Sequence, residues 1–304
     1  MSQAQVAGFR RALIDHGLLG ETPIDGVYGF AAGFAEIADA LSAVLRRAMA
    51  DADEHLRFAA VMPRADLERI GYFRNFPQLL GSVHCFCGDE AEHRALLRAH
   101  DAAEPWAAAL PPSDLVLIPA ACYTVYPRLA RRGAVPEAGH IVQVEATCFR
   151  REPSPDPVRA QNFHMHELVR VGRPEQALAF RDRWLERGQA LFRSWGLTAE
   201  IQPADDPFFG RAAVVMARSQ RDRALKFELV LPVSDDDRPT ACASANYHLD
   251  NFGRALGLSH ADGGIAHSAC IGFGIERVVL ALFRHHGFAS ARWPRAVRQA
   301  LGLD

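Results

Sequence analysis

The stretch CFRREPSPDPVRAQNFHMHE at residues 148–167 decides the fold of this 304-residue chain. Residues 141–152 are predicted to form one strand, and residues 162–171 a second. The nine residues between the strands contain three prolines, which restrict the backbone and cannot donate a hydrogen bond. We therefore predict an antiparallel hairpin with a long, proline-stiffened loop.

Side chains alternate along a strand, so the hairpin brings particular groups onto shared faces. Arg150 and Glu152 share a face of the first strand with Cys148. Phe163 and Glu167 share a face of the second strand. Polar groups of several kinds are thus expected on one side of the hairpin.

These residue types indicate a nucleotide site. Arg150 can clamp a phosphate with two hydrogen bonds, the Glu152 carboxylate can accept from an adenine amino group, and the Phe163 ring offers a stacking surface. Arg159 in the loop is a further candidate. Each residue also has an ordinary alternative, which is a cross-strand charge set for Arg150 and Glu152 and a core position for Phe163.

The segment GFGIER at residues 272–277 is expected to supply a second phosphate-binding arginine. We predict that a strand ends at Cys270 and that a helix runs from Gly272 to Gly287, which places Arg277 one turn inside the helix. The glycines allow a ligand to approach closely, and the helix N-terminus favours anions. The alternative for Arg277 is an ion pair with Glu276.

The remaining sequence predicts an α+β protein. Apolar residues at helical spacing between Phe30 and Leu45 indicate a helix near the N-terminus, and a second helix follows Pro174. Further strands are predicted at residues 115–119, 226–233 and 240–250.

Composition and charge exclude several classes of protein. The 34 basic and 36 acidic residues give a formal net charge of −2, which argues against a long nucleic-acid track. No apolar run approaches the roughly 20 residues of a membrane helix, and the polar N-terminus does not read as a signal peptide. We expect a cytoplasmic protein with no membrane partner. The six cysteines do not suggest a disulfide framework.

Together these segments resemble the catalytic domain of class II aminoacyl-tRNA synthetases, specifically the seryl branch. CFRRE at 148–152 and RAQNFHMHE at 159–167 resemble motif 2, and GFGIER at 272–277 resembles motif 3. FELVLP at 227–232 and SANYHLDNFG at 244–253 resemble the two strands between those motifs. The resemblance implies an antiparallel sheet flanked by helices.

Motif 1 of those enzymes is a helix and strand at the dimer interface, and we assign it to LERIGYFRNFP at residues 67–77. We expect a helix end followed by a short aromatic strand. Tyr72, Phe73 and Phe76 suit an interface core, although an ordinary domain core would use them too. The resemblance thus implies a homodimer. It also divides the chain into a helical N-terminal segment at 1–54 and a synthetase-like catalytic domain at 55–304.

The resemblance implies an ATP site in which Arg150 and Arg277 are catalytic. Its contacts are Arg150 at the α-phosphate, Glu152 at the adenine amino group, Phe163 at the adenine ring, Arg159 and Arg277 at the outer phosphates, and Glu228 near magnesium. One position departs from the seryl pattern, because Thr240 stands where that pattern has a metal-binding glutamate. The magnesium ligands are therefore left open.

The segment before the catalytic region is too short for the coiled-coil arm with which seryl-tRNA synthetases grip tRNA. The chain therefore resembles the truncated seryl-like amino acid:[carrier protein] ligases. Those enzymes form an aminoacyl-adenylate from ATP and pass the acyl group to the phosphopantetheine thiol of a holo carrier protein. We expect glycine or alanine as the amino acid, and no tRNA partner.

The resemblance also implies a zinc ion that recognises the amino group of the substrate, held by Cys122, Glu167 and Cys270. Three protein ligands with an open fourth position are typical of catalytic zinc. The separations of 45 and 103 residues carry no local signature, and Cys148 is a rival ligand. The cysteines expected to be structural are Cys85, Cys87 and Cys242.

Two other functions fit parts of the sequence. A catalytically silent paralogue would bind an aminoacyl-adenylate or a partner as a regulator, and Thr240 keeps this alternative open. The second alternative is a tRNA-charging enzyme, which the near-neutral charge and the missing arm disfavour. A cluster of arginines near the C-terminus would suit a small acidic carrier domain, and it comprises Arg284, Arg292, Arg295 and Arg298.

Overall fold

The proline-stiffened hairpin forms part of a seven-stranded sheet in the computed structural model, which describes residues 2–304. Strand β7 (His140–Phe149) pairs antiparallel with β8 (Asn162–Gly172), as predicted. Strand β7 ends three residues before the predicted Glu152. The Arg151 amide there donates to the carbonyl of Leu79 at 3.1 Å rather than to β8.

The central sheet is mostly antiparallel, with strand order β3-β7-β8-β12-β11-β10-β9 and one parallel pair, β3 with β7. A smaller sheet has the order β4-β6-β5, and β1 pairs with β2. The remaining strands are β1 (Leu19–Glu21), β2 (Tyr28–Phe30), β3 (Glu54–Phe58), β4 (Val61–Pro63), β5 (Ser82–His84), β6 (Pro112–Leu117), β9 (Glu200–Pro203), β10 (Lys226–Leu231), β11 (Thr240–Leu249) and β12 (His267–Gly274).

Helices flank the sheet, and the predicted α+β class is confirmed. The helices are α1 (Ser2–Asp15), α2 (Ala32–Ala48), α3 (Arg64–Arg69), α4 (Tyr72–Asn75), α5 (Glu90–Asp101), α6 (Val125–Ala130), α7 (Pro174–Ser194), α8 (Ala213–Asp222), α9 (Asn251–Leu256), α10 (Ile275–His286) and α11 (Arg295–Leu301). The helices predicted before Leu45 and after Pro174 are α2 and α7.

Alternation along the strands separates two faces of the sheet. Leu229, Ala243 and Ile271 are buried in a core shared with α2, α7, α10 and α11, which we call the helical face. Gly188 lets α7 pack closely there, because a Cβ at this position would lie 2.9 Å from Leu229 Cδ1. The intervening residues point to the opposite side, which we call the cavity face.

The aromatic strand predicted within residues 67–77 is wrong. This stretch forms the end of α3, helix α4 and a 3-10 turn at Pro77–Leu79, with no strand. Its aromatic rings are used within the chain, since Tyr72 is buried and Phe76 stacks on Phe208 with ring centroids 5.2 Å apart.

The strand before GFGIER continues further than predicted. Strand β12 runs through Cys270 to Gly274, pairing with both β8 and β11, and α10 begins at Ile275 rather than Gly272. Arg277 therefore lies in the first turn of α10. The predicted helix end at Gly287 is confirmed.

The N-terminal part of the chain packs into the same core as the sheet. Phe34, Ile37 and Leu41 of α2 are buried with Val279 and Phe283 of α10. The division at residue 54 stays a prediction. Within residues 2–304, no helix combines the length and apolar character needed to span a bilayer.

Candidate active site

Two cross-strand rows of residues form the floor of a cavity on the cavity face. In one row, Glu228 pairs with Ser244, Ser244 with Gly272, and Gly272 with Glu167. Gly272 makes room for the glutamate, because a Cβ there would lie 3.0 Å from Glu167 Cγ. The second row contains Lys226, Asn246 and Cys270.

The cavity above this floor has a volume of about 180 Å³ and collects most of the predicted site residues. Those that line it are Arg150, Glu152, Phe163, Glu228, Arg277, Cys122, Glu167 and Cys270. Arg159 does not line the cavity. Its side chain is exposed, and its Nη1 lies 3.6 Å from Glu152 Oε2.

Arg150 and Arg277 enter the cavity without acidic partners. Arg150 Nε donates to the Pro119 carbonyl at 2.9 Å. Arg277 Nε and Nη1 donate to the carbonyls of Val158 and Ala241 at 2.8 and 3.0 Å. Neither guanidinium forms an ion pair with any residue in 2–304, and burial lowers the pKa of Arg277. Two cations held by neutral carbonyls provide a site for an anion.

The suggested ion pair between Arg277 and Glu276 is not formed. The Glu276 carboxylate instead accepts from the His164 backbone amide at 2.8 Å and lies 2.6 Å from His164 Nδ1. These contacts join the N-terminus of α10 to β8. They also leave the guanidinium of Arg277 free to face the cavity.

Phe163 and Glu152 lie beside Arg150. The Arg150 Cζ atom is 5.5 Å from the centroid of the Phe163 ring. A cation and an aromatic face on one wall, with a carboxylate nearby, suit a flat ring that carries an amino group.

Cys122, Glu167 and Cys270 come together although they are distant in sequence. Their ligand atoms all lie within 4.8 Å of one another, and all three residues are buried. Cys122 lies in a 3-10 turn at Ala121–Thr124, Glu167 on β8 and Cys270 on β12. The turn also orients the carboxylate, because Ala121 N and Cys122 N donate to Glu167 Oε1 at 2.7 and 3.3 Å.

The electrostatics of this set favour a cation. Burial and the neighbouring Cys270 raise the pKa of Glu167 to about 7, against the opposing effect of the Cys122 thiol and backbone amides. The hydrogen bond between the two thiols raises the pKa of Cys122 and lowers that of Cys270. No lysine or arginine in residues 2–304 pairs with the Glu167 carboxylate, which is 1% exposed. A bound cation would offset the repulsion between the ionised forms of Cys122, Glu167 and Cys270.

A polar network that the sequence did not predict lies on the opposite side of the floor. Lys226 Nζ lies 2.8 Å from Asp206 Oδ1 and 3.1 Å from Glu228 Oε1. Gln220 of α8 supports Asp206, donating from Nε2 to Oδ2 at 2.8 Å. One signal was available, because Lys226 is the only lysine in the sequence.

The structure also shows where three other residues named in the sequence analysis lie, namely Cys148, Thr240 and Glu228. Cys148 is buried in the core on the cavity face and is not part of the metal-ligand group found in residues 2–304. Thr240 does not line the cavity, and Glu228 is paired with Lys226. All six cysteines are free.

Comparison with known proteins gives the family. No protein-family model matches the sequence. Amino acid–[acyl-carrier-protein] ligase 2 of Bradyrhizobium diazoefficiens is 47% identical over 293 residues, covering 95% of this chain and 88% of that protein. The chain belongs to the amino acid–[acyl-carrier-protein] ligases. Ligase 1 of the same organism is 45% identical over 280 residues, with 92% and 86% covered. The predicted family and its class as a ligase are therefore confirmed.

More distant relatives show which fold this chain has. The type-2 serine–tRNA ligase of Methanococcus aeolicus is 28% identical over 153 residues, which is 47% of this chain and 28% of that protein. The structure of M. kandleri seryl-tRNA synthetase aligns with a TM-score of 0.81 at 20% identity, covering 97% of this chain and 60% of that chain. The cytoplasmic serine–tRNA ligase of Naegleria fowleri aligns with a TM-score of 0.72 at 13% identity, covering 97% of this chain and 65% of that chain. The class II synthetase-like fold is confirmed.

Proposed function

We propose that this chain activates glycine or alanine with ATP and transfers the aminoacyl group to the phosphopantetheine thiol of a holo carrier protein. One observation carries the proposal. Two arginines without acidic partners and a buried Cys–Glu–Cys set line the same cavity. The arginines fit phosphates, and the set fits a metal that binds an amine. The names of the two Bradyrhizobium relatives support an amino acid and an acyl carrier protein as reactants.

In the first step, a carboxylate oxygen of the amino acid attacks the α-phosphorus of ATP. The bond from that phosphorus to the bridging oxygen of the β-phosphate breaks, and pyrophosphate leaves. Arg150 and Arg277 stabilise the negative charge that builds up, since preorganised cations need no rearrangement during the reaction. Phe163 stacks on the adenine and Glu152 accepts from its amino group. ATP enters as its magnesium complex, with Glu228 as the acidic contact in the cavity.

The Cys122, Glu167 and Cys270 set fits a zinc ion by its chemistry. Two thiolates and one carboxylate are common zinc ligands, and three protein ligands leave one position for a substrate atom. The Glu167 carboxylate has backbone donors but no cationic partner. When bound, zinc would act as a Lewis acid that holds the neutral amino group of the amino acid. The protein residues keep the ligand atoms together and exclude water around them.

The surroundings of this set support a small amino acid. Tyr123 and Phe252 line the cavity beside it, with ring centroids 5.8 Å apart in an edge-to-face contact. Tyr123 also packs edge-to-face on the buried Tyr72, at 5.5 Å. We propose that these rings limit the length of the substrate side chain.

In the second step, the carrier thiol attacks the carbonyl carbon of the adenylate, the bond to AMP breaks, and the thiol proton is released. The flexible arm of the carrier must reach the cavity.

The C-terminal arginines are poorly placed for docking the carrier, because α11 packs on the helical face against α2 and α7. Helix α8 lies closer, since Gln220 contacts Asp206 at the cavity. Val214 and Val215 on α8 are 80% and 70% exposed. Arg218 on the same helix pairs with Asp222 at 3.4 Å, so we propose α8 as a mainly apolar docking surface for the carrier.

The sheet edge supports the proposed homodimer. Strand β3 pairs only with β7 among residues 2–304, so no strand of the described chain pairs with its outer edge. Uncovered edges are commonly protected by another chain or element. The adjacent helix α2 and strand β3 form the helix and strand that the synthetase resemblance requires at a dimer interface.

Pyrophosphate exchange across all amino acids tests the activation step without a carrier. Labelled pyrophosphate should enter ATP when glycine or alanine is present, and not when a large amino acid replaces it. If none of the amino acids supports exchange, the result would favour a catalytically silent paralogue. Exchange with large amino acids alone would contradict the proposed substrate class.

A further inference from the structure

His248 on β11 connects the Cys–Glu–Cys set to the surrounding strands. Its Nε2 lies 3.6 Å from Cys270 Sγ, within the range of a hydrogen bond to sulfur. Its Nδ1 lies 3.1 Å from Ser268 Oγ and 3.3 Å from the Tyr126 hydroxyl. Asn246 Nδ2 is a second donor to Cys270 Sγ, also at 3.6 Å.

These contacts define the tautomer of His248 when Cys270 is a thiolate. A thiolate can only accept a hydrogen bond, so Nε2 must carry the proton and donate it to sulfur. Nδ1 is then the acceptor. Its single lone pair faces the Ser268 hydroxyl at 3.1 Å, and the Tyr126 hydroxyl at 3.3 Å shares it. The sulfur of Cys270 thus receives two N–H groups, one from His248 and one from Asn246.

Aromatic packing holds the imidazole in this orientation. The Phe252 ring contacts His248 edge-to-face with centroids 5.0 Å apart, and Tyr126 does the same at 5.9 Å. Phe252 and Tyr126 are themselves stacked at 3.9 Å. The ring cannot turn away from Cys270 without disturbing this cluster.

We propose that His248 is a positioning residue that orients and stabilises the Cys270 thiolate as a zinc ligand. This inference rests on the zinc site of the proposed function and adds a role that the ligand set alone does not contain. Residues that hydrogen-bond to metal ligands fix the ligand orientation, and their loss weakens metal binding by roughly 10- to 100-fold. Ser268 and Tyr126 contact His248 rather than Cys270. Their hydroxyl groups face Nδ1 of His248 and so keep its proton on Nε2.

Two variants separate hydrogen bonding from packing. H248F keeps an aromatic ring in the Phe252–Tyr126 cluster but removes the donor, whereas H248Q retains an N–H group of similar reach. H267Q is the matched control, because His267 lies on the adjacent strand and contacts Tyr247 instead of Cys270. Zinc release to a colorimetric chelator is measured for the purified full-length protein. The sulfur-to-cobalt charge-transfer band is recorded after loading with cobalt alone.

H248F should bind zinc roughly 10- to 100-fold more weakly and shift the cobalt band, while H248Q stays near wild type and H267Q is unchanged. Wild-type zinc release and an unshifted band in H248F would overturn the role of His248 and leave the zinc site intact. Equal loss in H248F and H248Q would also overturn it, because packing alone would then explain the effect. A wild-type protein that takes up neither metal would overturn the zinc part of the proposed function as well.

Discussion

Replacing Arg277 with alanine is the sharpest test of the ATP site. The guanidinium has five N–H groups, and the Val158 and Ala241 carbonyls occupy two of its nitrogens. The N–H groups that remain have no acidic partner in the described chain. We expect them to contact the outer phosphates and the departing pyrophosphate.

The size of the effect follows from this geometry. Removing one preorganised donor at a developing charge costs about 2.7–4 kcal/mol, which is a factor of roughly 100 to 1,000 in rate. R277A should therefore slow amino acid-dependent pyrophosphate exchange by at least about 100-fold. The KM for ATP should rise as well, because the same N–H groups bind the ground state.

R284A provides the matched control for this measurement. Arg284 lies on the same helix, but it pairs with Asp236 and does not line the cavity. Its exchange rate should stay close to wild type, and circular dichroism should show both variants folded. Near wild-type exchange in a folded R277A protein would mean that Arg277 does not bind the ATP phosphates. The same result for R150A would mean that ATP binds elsewhere in the protein.

Three further predictions concern the metal, the pH dependence and the assembly. Purified protein should contain about one zinc per chain. C122S or C270S should lose both zinc and adenylate formation, because the loss of one ligand weakens the site. Full zinc content in either variant, measured by metal analysis, would refute the ligand set. Burial raises the pKa of Glu145, but hydrogen bonds from His166 and Arg46 outweigh it and lower the pKa from 4.5 to about 2. The stability from this carboxylate is therefore complete above the unfolded pKa and is lost as the pH falls toward 2. After allowance for solvent screening of this half-buried group, the effect is roughly 1–2 kcal/mol, and E145Q should remove it from urea unfolding curves. Equal acid sensitivity in E145Q would contradict this prediction. Light scattering at micromolar concentration should give a dimer, and a particle of 33.4 kDa would rule it out.

The hairpin and the helices around it were predictable because their signals are local. The prolines after Glu152 and the alternation from Phe163 to Glu167 identify β7 and β8 from short windows of sequence. The aromatic residues near Tyr72 misled the same reasoning, since their side chains favour strands but here pack on Tyr123 and Phe208 from helical turns.

The metal-ligand set and the lysine network depend on long-range pairing. Cys122 approaches Cys270 because the 3-10 turn at Ala121–Thr124 packs against β7 and β8, and no spacing in the sequence encodes that contact. The family resemblance selected these residues, and the structure places them together. Lys226 and Asp206 were missed because their partnership joins a strand to a distant loop that has no motif.

The acceptor of the aminoacyl group distinguishes a carrier-protein ligase from a tRNA-charging enzyme. Labelled glycine or alanine, with ATP and zinc, is offered to the purified protein together with a holo acyl carrier protein, the apo form of the same carrier, or tRNA. Stable label should appear on the holo carrier alone and be released by hydroxylamine, as expected for a thioester. Stable charging of tRNA, or equal labelling of the apo carrier, would contradict the account.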